Sequence, residues 1–310
     1  MKESSMHVFV TGASGFVGSA VVTELIRAGH RVSGLARSDA SAAAVTAAGA
    51  DAHRGDLTDL DSLRRGAEAA DAVIHLAFHH DFDNFAEVFA EAGELDRRAI
   101  EALGETLAGS GRPLVVTSGI AGHAPGEVLT EDRRAPGGLP RVSEQACLPF
   151  AERGVRASVL RLPPTVHGEH DHGFVPRLID IARRRGVSGY PGQGANRWSA
   201  VHRYDAARLY RLAVESAPAG TVLHAVGEQG IPVRDIAEVI ARRLGLPAAA
   251  VAPESVAEHF GWLGGFFGTD LAASSAATRR EFGWEPTEIG LLDDLDRHYF
   301  AATAARGGPR

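Results

Sequence analysis

The 310-residue chain predicts an α/β fold, a doubly wound parallel sheet with a smaller C-terminal substrate lobe. Three observations carry that expectation. Apolar, β-type runs alternate with amphipathic helical stretches through the first half, as strands and their crossover helices do. The run Ala72-Val73-Ile74-His75-Leu76-Ala77 is apolar without alternation, the pattern of a strand covered on both faces. The stretch Val8-Phe9-Val10-Thr11-Gly12-Ala13-Ser14-Gly15-Phe16-Val17-Gly18 then leads a strand through three glycines at i, i+3 and i+6 into a helix.

In chain order, the first strand is followed by a helix whose apolar side is Val17, Val21, Val22, Leu25 and Ile26. A second strand is expected over 31–37, and Ser38 is placed to cap an alanine-rich helix over 39–48. A third strand over 50–54 ends in Gly55-Asp56-Leu57, a helix follows near 59–67, and the fourth strand lies over 71–77. A long helical region spans 83–109. Arg112-Pro113 introduces a fifth strand over 114–118, a Gly/Pro-rich loop covers 119–140, and a helix is expected over 141–153. The sixth strand, over 156–162, is stopped by Pro163-Pro164. Beyond it the expected helices are 174–186, 203–216, 232–244 and 287–300, with short strands at 198–202 and 221–226. The division drawn is a nucleotide-binding domain over 1–162 and a substrate lobe over 163–310, segments of which can return to the main sheet.

Composition excludes several classes. Net charge is −7 with 32 basic and 39 acidic residues, so no basic surface for nucleic acid is expected. The lone cysteine, Cys147, rules out an internal disulfide and fits a reducing compartment. No signal peptide and no apolar run of about 18 residues is seen, so a soluble, cytoplasmic protein is expected.

The glycine turn suits a pyrophosphate. A helix N-terminus offers backbone N–H groups and a positive dipole end to an anion. Gly12 makes the turn, Gly15 admits the phosphates, and Gly18 lets helix and strand pack, with Thr11 and Ser14 hydroxyls nearby and Phe16 and Val17 in the first turn.

With these pieces in order, the chain resembles the extended or atypical branch of the short-chain dehydrogenase/reductase superfamily, the epimerase/dehydratase-like members with a Rossmann-type sheet. The likeness rests on Thr11-Gly12-x-x-Gly15-x-x-Gly18, Gly55-Asp56-Leu57, His75-Leu76-Ala77, Val116-Thr117-Ser118 and Leu160-Arg161-Leu162-Pro163. It continues in Val166-His167-Gly168, Val201-His202-Arg203-x-Asp205-Ala206-Ala207 and Arg279-Arg280-Glu281-Phe282-Gly283-Trp284-Glu285-Pro286, and so covers nearly the whole chain. The resemblance implies that Asp56 and Leu57 hold the adenine and that Ala77 and Thr117 lie along the cofactor. It also implies a homodimer, because in extended relatives the helices matching 83–109 and 141–153 form a four-helix contact. Where relatives that bind NAD(H) carry an acid at the end of the second strand, this chain has Arg37, followed by Ser38. A cation there accommodates the 2′-phosphate of NADP(H), although Asp39 stands close by.

The chain departs from the family at the catalytic pair. Members with the usual chemistry carry Tyr-x-x-x-Lys on the helix after the fifth strand, yet the first tyrosine here is Tyr190 and the only lysine is Lys2. The serine position falls on Ser118 or on Gly119. Arg141 stands near the tyrosine's place, but a guanidinium does not deprotonate near neutral pH and can serve only as a fixed cation. Histidine is the better proton donor. Six histidines follow strands four to six, namely His79, His80, His123, His167, His170 and His172, and His123 and His167 rank first because strands five and six flank the expected hydride site. A metal at 167–172 is not expected, since no second cluster completes a ligand set. Substrate contacts are expected from Phe174, Arg177, Tyr190, Arg197 and Trp198, the last of which also reads as core.

Three functions follow. The first is an NADP(H)-dependent oxidoreductase reducing a C=O or C=N bond of a small molecule. The second is an epimerase- or dehydratase-type isomerase or lyase that uses the cofactor transiently. The third is a non-enzymatic NADP(H)-sensing protein.

Overall fold

A computed structural model describes residues 5–79, 85–122, 124–135 and 141–300. The alternation read from the sequence builds one seven-stranded parallel sheet. Its strands are β1 (His7–Thr11), β2 (Arg31–Ala36), β3 (Asp51–Arg54), β4 (Ala72–His75), β5 (Pro113–Gly119), β6 (Arg156–Leu162) and β10 (Val222–His224). They lie in the order β10-β6-β5-β4-β1-β2-β3, and every neighbouring pair is parallel. The order reverses between β1 and β4, so a crevice opens there beyond the carboxyl ends of the strands.

Helices cover both faces, which is why the central strands are apolar throughout. On one side α1 (Phe16–Arg27) packs with α7 (Arg203–Ser216) over Val8, Val10, Ile74 and Leu160. On the other, α3 (Leu60–Glu68) and α4 (Phe85–Leu107) cover Phe9, Val73, Leu114 and Val116. The remaining helix before β3 is α2 (Asp39–Ala47). The helix expected over 141–153 is shorter: α5 (Ser143–Cys147) gives way to a 3-10 turn, Leu148–Ala151, with Pro149 in its first positions. Proline lacks the N–H a longer α-helix would need there.

The second half holds two small sheets around their own core. One joins β7 (Thr165–His167), β9 (Arg197–His202) and β11 (Glu228–Pro232), and the other pairs β8 (Ser188–Pro191) with β12 (Ala248–Val251). Around them lie α6 (Phe174–Arg185), α8 (Val233–Leu244), three short helices α9 (Val256–Phe260), α10 (Leu263–Phe267) and α11 (Ala276–Phe282), and α12 (Leu291–His298). Two motifs of the sequence are tied together here. The Asp205 carboxylate accepts from the Thr287 and Glu288 N–H groups at 2.9 and 3.2 Å, and the Trp284 indole donates to the Asp205 carbonyl at 3.0 Å. Among the described residues no helix is long and apolar enough to cross a membrane.

Candidate functional site

A single cleft of about 1760 Å³ runs along the carboxyl ends of the strands, from the glycine turn to the second lobe. Pockets for one small molecule occupy about 300–1,000 Å³, so there is room here for a dinucleotide and a second ligand.

The nucleotide end is built by β1, its turn and α1. Gly12 has φ +70°, and a Cβ on it would stand 2.8 Å from the Ala77 nitrogen; a Cβ on Gly18 would meet the Gly12 oxygen at 2.0 Å. Gly12 therefore lets the turn after β1 lie against the backbone that follows β4, and Gly18 lets α1 fold back onto that turn. Ser14, Gly15, Phe16 and Val17 line the cleft, and Gly15, the N-cap of α1, contributes no side chain, so the first-turn N–H groups stay open to an anion. Thr11 corrects the expectation. Its side chain is fully buried and turned from the cleft, accepting from the Leu76 and Ala77 N–H groups at 3.2 Å and bonding His75 Nδ1 at 2.8 Å.

Asp56, Leu57 and Ala77 line the same end, and Arg37 stands exposed beside them at the end of β2. The Asp56 carboxyl lies below its usual value, mainly through hydrogen bonds from the Thr58 N–H and hydroxyl, with smaller help from Arg37 and His79. His79 also lines the cleft. Asp39, the acid beside Arg37, is paired with Arg54 at 2.8 Å. Ser38 does not line the cleft: its hydroxyl caps α2 by accepting from the Ser41 N–H at 3.1 Å, and Ser41 reaches the cleft instead.

Thr117 and Ser118, at the end of β5, line the cleft together with Arg141. The Thr117 hydroxyl faces inward, bonding the His75 carbonyl at 2.8 Å and the Tyr210 hydroxyl at 2.7 Å. The Arg141 guanidinium donates to the Thr117 carbonyl and the Ser143 hydroxyl, each at 2.9 Å, and lies 4.2 Å over the Phe78 ring. Behind it runs a buried chain that sequence reasoning missed. Ser143 donates to Asp96 Oδ2 at 2.5 Å, and His75 Nε2 reaches Asp96 Oδ1 at 3.1 Å. With the carboxylate accepting at Nε2, the His75 proton sits there, and Nδ1 accepts from Thr11. Burial pushes the Asp96 carboxyl up, but the His75 bond, the Arg141 cation and Ser143 together hold it below the usual range. Burial pulls Arg141 down, with Asp96 opposing. The signal was present: Asp96 interrupts the apolar side of α4 made by Ala92, Ala99, Ile100 and Leu103.

His123 lies outside the described residues, as does His80. His167 is not brought to the cleft. It is completely buried, with Nδ1 2.7 Å from Asp294 Oδ2 and its ring edge-on to His202 at 5.3 Å, because β7 turns it toward α12. From the neighbouring loop, Asp171 and His172 reach the cleft. Burial raises the Asp171 carboxyl against opposing hydrogen bonds from Tyr299 and the Gly173 N–H.

Of the expected substrate contacts only Phe174 lines the cleft. Arg177 donates to the His172 and Gly173 carbonyls. Arg197 is held by Asp270 through Nε at 3.0 Å and a terminal nitrogen at 2.7 Å. Tyr190 packs beside the second core with Arg234 over its ring, and Trp198 is wholly buried, its indole donating to the Phe266 carbonyl at 3.2 Å. The lobe presents instead Trp262, Phe266, Thr269 and Leu271, from a Gly-rich stretch with short helices whose pattern gave no warning.

Comparison with known proteins agrees with this architecture. An uncharacterized protein of Schizosaccharomyces pombe is 49% identical over 94% of this chain and 98% of its own length. An uncharacterized protein of Saccharomyces cerevisiae is 47% identical over 95% and 99%. Relatives at 27–29% identity include named reductases and an epimerase. The dTDP-glucose 4,6-dehydratase DesIV of Streptomyces venezuelae, solved with NAD and TYD, superimposes with a TM-score of 0.76 at 22% identity, covering 95% and 96% of the two chains, a likeness of fold. The sequence profile of the NAD dependent epimerase/dehydratase family matches residues 8–225, and the chain belongs to that family.

Proposed function

We propose that the protein is an NADP(H)-dependent oxidoreductase that reduces a C=O or C=N bond of a small molecule. The observation that carries this reading is Arg37 at the nucleoside end of the cleft, with its acidic neighbour Asp39 drawn off by Arg54. A cation beside the ribose favours a 2′-phosphate, which an acid would repel. Bound nicotinamide supplies the hydride. The open first turn of α1 receives the pyrophosphate, and Ser118 and Arg141 line the same cleft. Arg141, anchored through Ser143 and Asp96, polarises the substrate oxygen as a fixed cation.

The proton comes from another group than a Tyr/Lys pair. The only lysine is Lys2, and none of the four tyrosines lines the cleft, although the Tyr210 and Tyr299 hydroxyls stand behind its wall at Thr117 and Asp171. Among the described residues His172 and Asp171 are the titratable groups on the lobe side of the cleft, and burial raises the Asp171 carboxyl above its usual value.

The test is net consumption of NADPH against a panel of ketones, aldehydes and imines, with deuterium on the nicotinamide. Label in the product supports the reading. Label returning to the cofactor without net consumption would favour the second reading, a transient oxidation of epimerase type, to which the family and the named epimerase relative lend support. Tight binding with neither outcome would favour sensing. Arg37→Ala is expected to cut the preference for NADPH over NADH about 10- to 100-fold, the worth of a hydrogen bond to a charged group; an unchanged ratio removes the assignment of Arg37.

A further inference from the structure

We propose that the second ligand of the cleft is an uncharged carbonyl or imine compound with an aromatic or bulky apolar body, and not a nucleotide-linked sugar. This rests on the oxidoreductase reading for its reacting group and names the substrate class of the same site.

Two independent features point there. The lobe side of the cleft is an aromatic chamber: Phe174 stands 5.8 Å from Trp262 and 5.7 Å from Phe266, and those two are 6.2 Å apart. These are contacts between the rings themselves, so the three pack into one aromatic surface on the cleft wall, against which a further ring can lie. From the first half of the chain, Phe78 and Phe89 also line the cleft, 5.7 Å apart, and the Arg141 guanidinium covers Phe78. A carbonyl oxygen at Arg141 therefore places the body of its own molecule among rings.

The second feature is the charge of that wall. A nucleoside diphosphate needs cations or clustered N–H donors, because a buried unpaired charge costs several kcal/mol. Among the described residues the cleft's arginines are Arg37, Arg98 and Arg141, and the lobe contributes none. Three lobe arginines stay off the lining: Arg177 donates to backbone carbonyls, Arg197 is held by Asp270, and Arg203 donates to the Glu169 carbonyl at 2.9 Å with its guanidinium over the Phe16 and Tyr204 rings. Segments 80–87 and 136–140 contain neither lysine nor arginine. Among the described residues the ionisable lobe groups on the wall are Asp171 and His172, neither of which offers the planar bidentate fork by which an arginine holds a phosphate.

Tryptophan fluorescence tests this without turnover. Trp198 and Trp284 are buried, whereas Trp262 lines the cleft, so Trp262 reports occupancy of the chamber. Acetophenone and acetylnaphthalene are expected to quench it saturably, UDP and UDP-glucose to leave it unchanged at millimolar concentration, and Trp262→Phe to abolish the response. Phe266→Ala should weaken ketone binding about tenfold. Quenching by UDP-glucose, its displacement of the ketone, or no ketone response in the wild-type protein would each overturn the proposal. NADPH binding is followed separately by nicotinamide fluorescence. Loss of NADPH binding with ketone quenching intact sinks the oxidoreductase reading alone, and NADPH binding with UDP-glucose in the chamber sinks this one alone.

Discussion

Ser143 and Glu144 are neighbours in α5, and each enters a different buried polar network. Ser143 joins His75, Asp96 and Arg141, a chain that emerges in the cleft. Glu144 faces the other way and receives Arg161 bidentately at 2.7–2.9 Å; Arg161 also donates to the Arg133 carbonyl and meets His224 Nε2 at 3.0 Å. Arg161, Glu144 and His224 are at most 2% exposed, whereas the Arg141 side chain keeps 19% of its surface. Both networks hold an arginine, a carboxylate and a histidine. What separates them is whether the arginine's charge reaches a place where a ligand can feel it. A sealed ion pair holds β6, α5 and β10 together, while an anchored arginine at a cleft wall is a tool.

The comparison breaks most sharply at Glu144. Glu144→Gln leaves Arg161 buried without its counter-ion, and unfolding free energy should fall by about 3–5 kcal/mol. Denaturant melts check this, and the nicotinamide preference of the protein that remains folded should not move. Arg141→Ala should do the reverse: kcat/KM falls about 10²–10³-fold, as when a fixed donor to a developing oxyanion is removed, with a smaller loss of stability than Glu144→Gln, because Asp96 keeps its bonds to Ser143 and His75. If Arg141→Ala unfolds the protein and Glu144→Gln spares it, the two roles are exchanged.

The third effect separates the networks by pH. Arg161 donates to His224 Nε2, so Nδ1 carries the proton and donates to the Ser274 carbonyl at 2.7 Å. Burial, then the Arg161 cation, hold the His224 pKa down to about 4. Between that value and the unfolded histidine's, about 6.5, the unfolded chain binds a proton that the folded chain refuses. Stability is therefore full above about pH 6.5 and declines as pH falls, by on the order of 3 kcal/mol once the folded pKa is reached. His224→Gln should flatten that slope in melts taken from pH 7 to 4; an equally steep profile in the variant would assign the acid sensitivity elsewhere.

The fold was legible because its signals are local and repeated. The glycine turn, the unbroken apolar strands and the Pro-Pro stop after β6 each report a backbone requirement, and the six first strands lie where those signals put them. The second lobe was less legible, since three-residue strands and five-residue helices are shorter than the periods by which they would be recognised. At the site, residue type outran direction. Thr11, His167, Arg177 and Arg197 carry the right chemistry in the right neighbourhood, but each turns its polar atoms to a partner that the linear sequence sets far away or leaves unmarked. The better signal was a charge in the wrong company. Asp96 on an apolar helix side and Arg161 inside an apolar strand both announced buried networks.

The finest test is the residue at the junction. The Ser143 hydroxyl receives Arg141 Nε and donates to Asp96, while the direct Arg141–Asp96 separation is 4.0 Å. Ser143→Ala therefore removes the link but keeps the counter-charge, and kcat/KM should fall only about tenfold, the lower range for a hydrogen bond to a charged group. The loss should appear in kcat more than in KM, because a fixed cation acts most strongly on charge that develops during reaction. Ser143→Thr, which keeps the hydroxyl, should restore most of it. A merely structural serine would lower the melting temperature and leave kcat of the folded fraction alone, and that result would make the two sides of α5 equivalent.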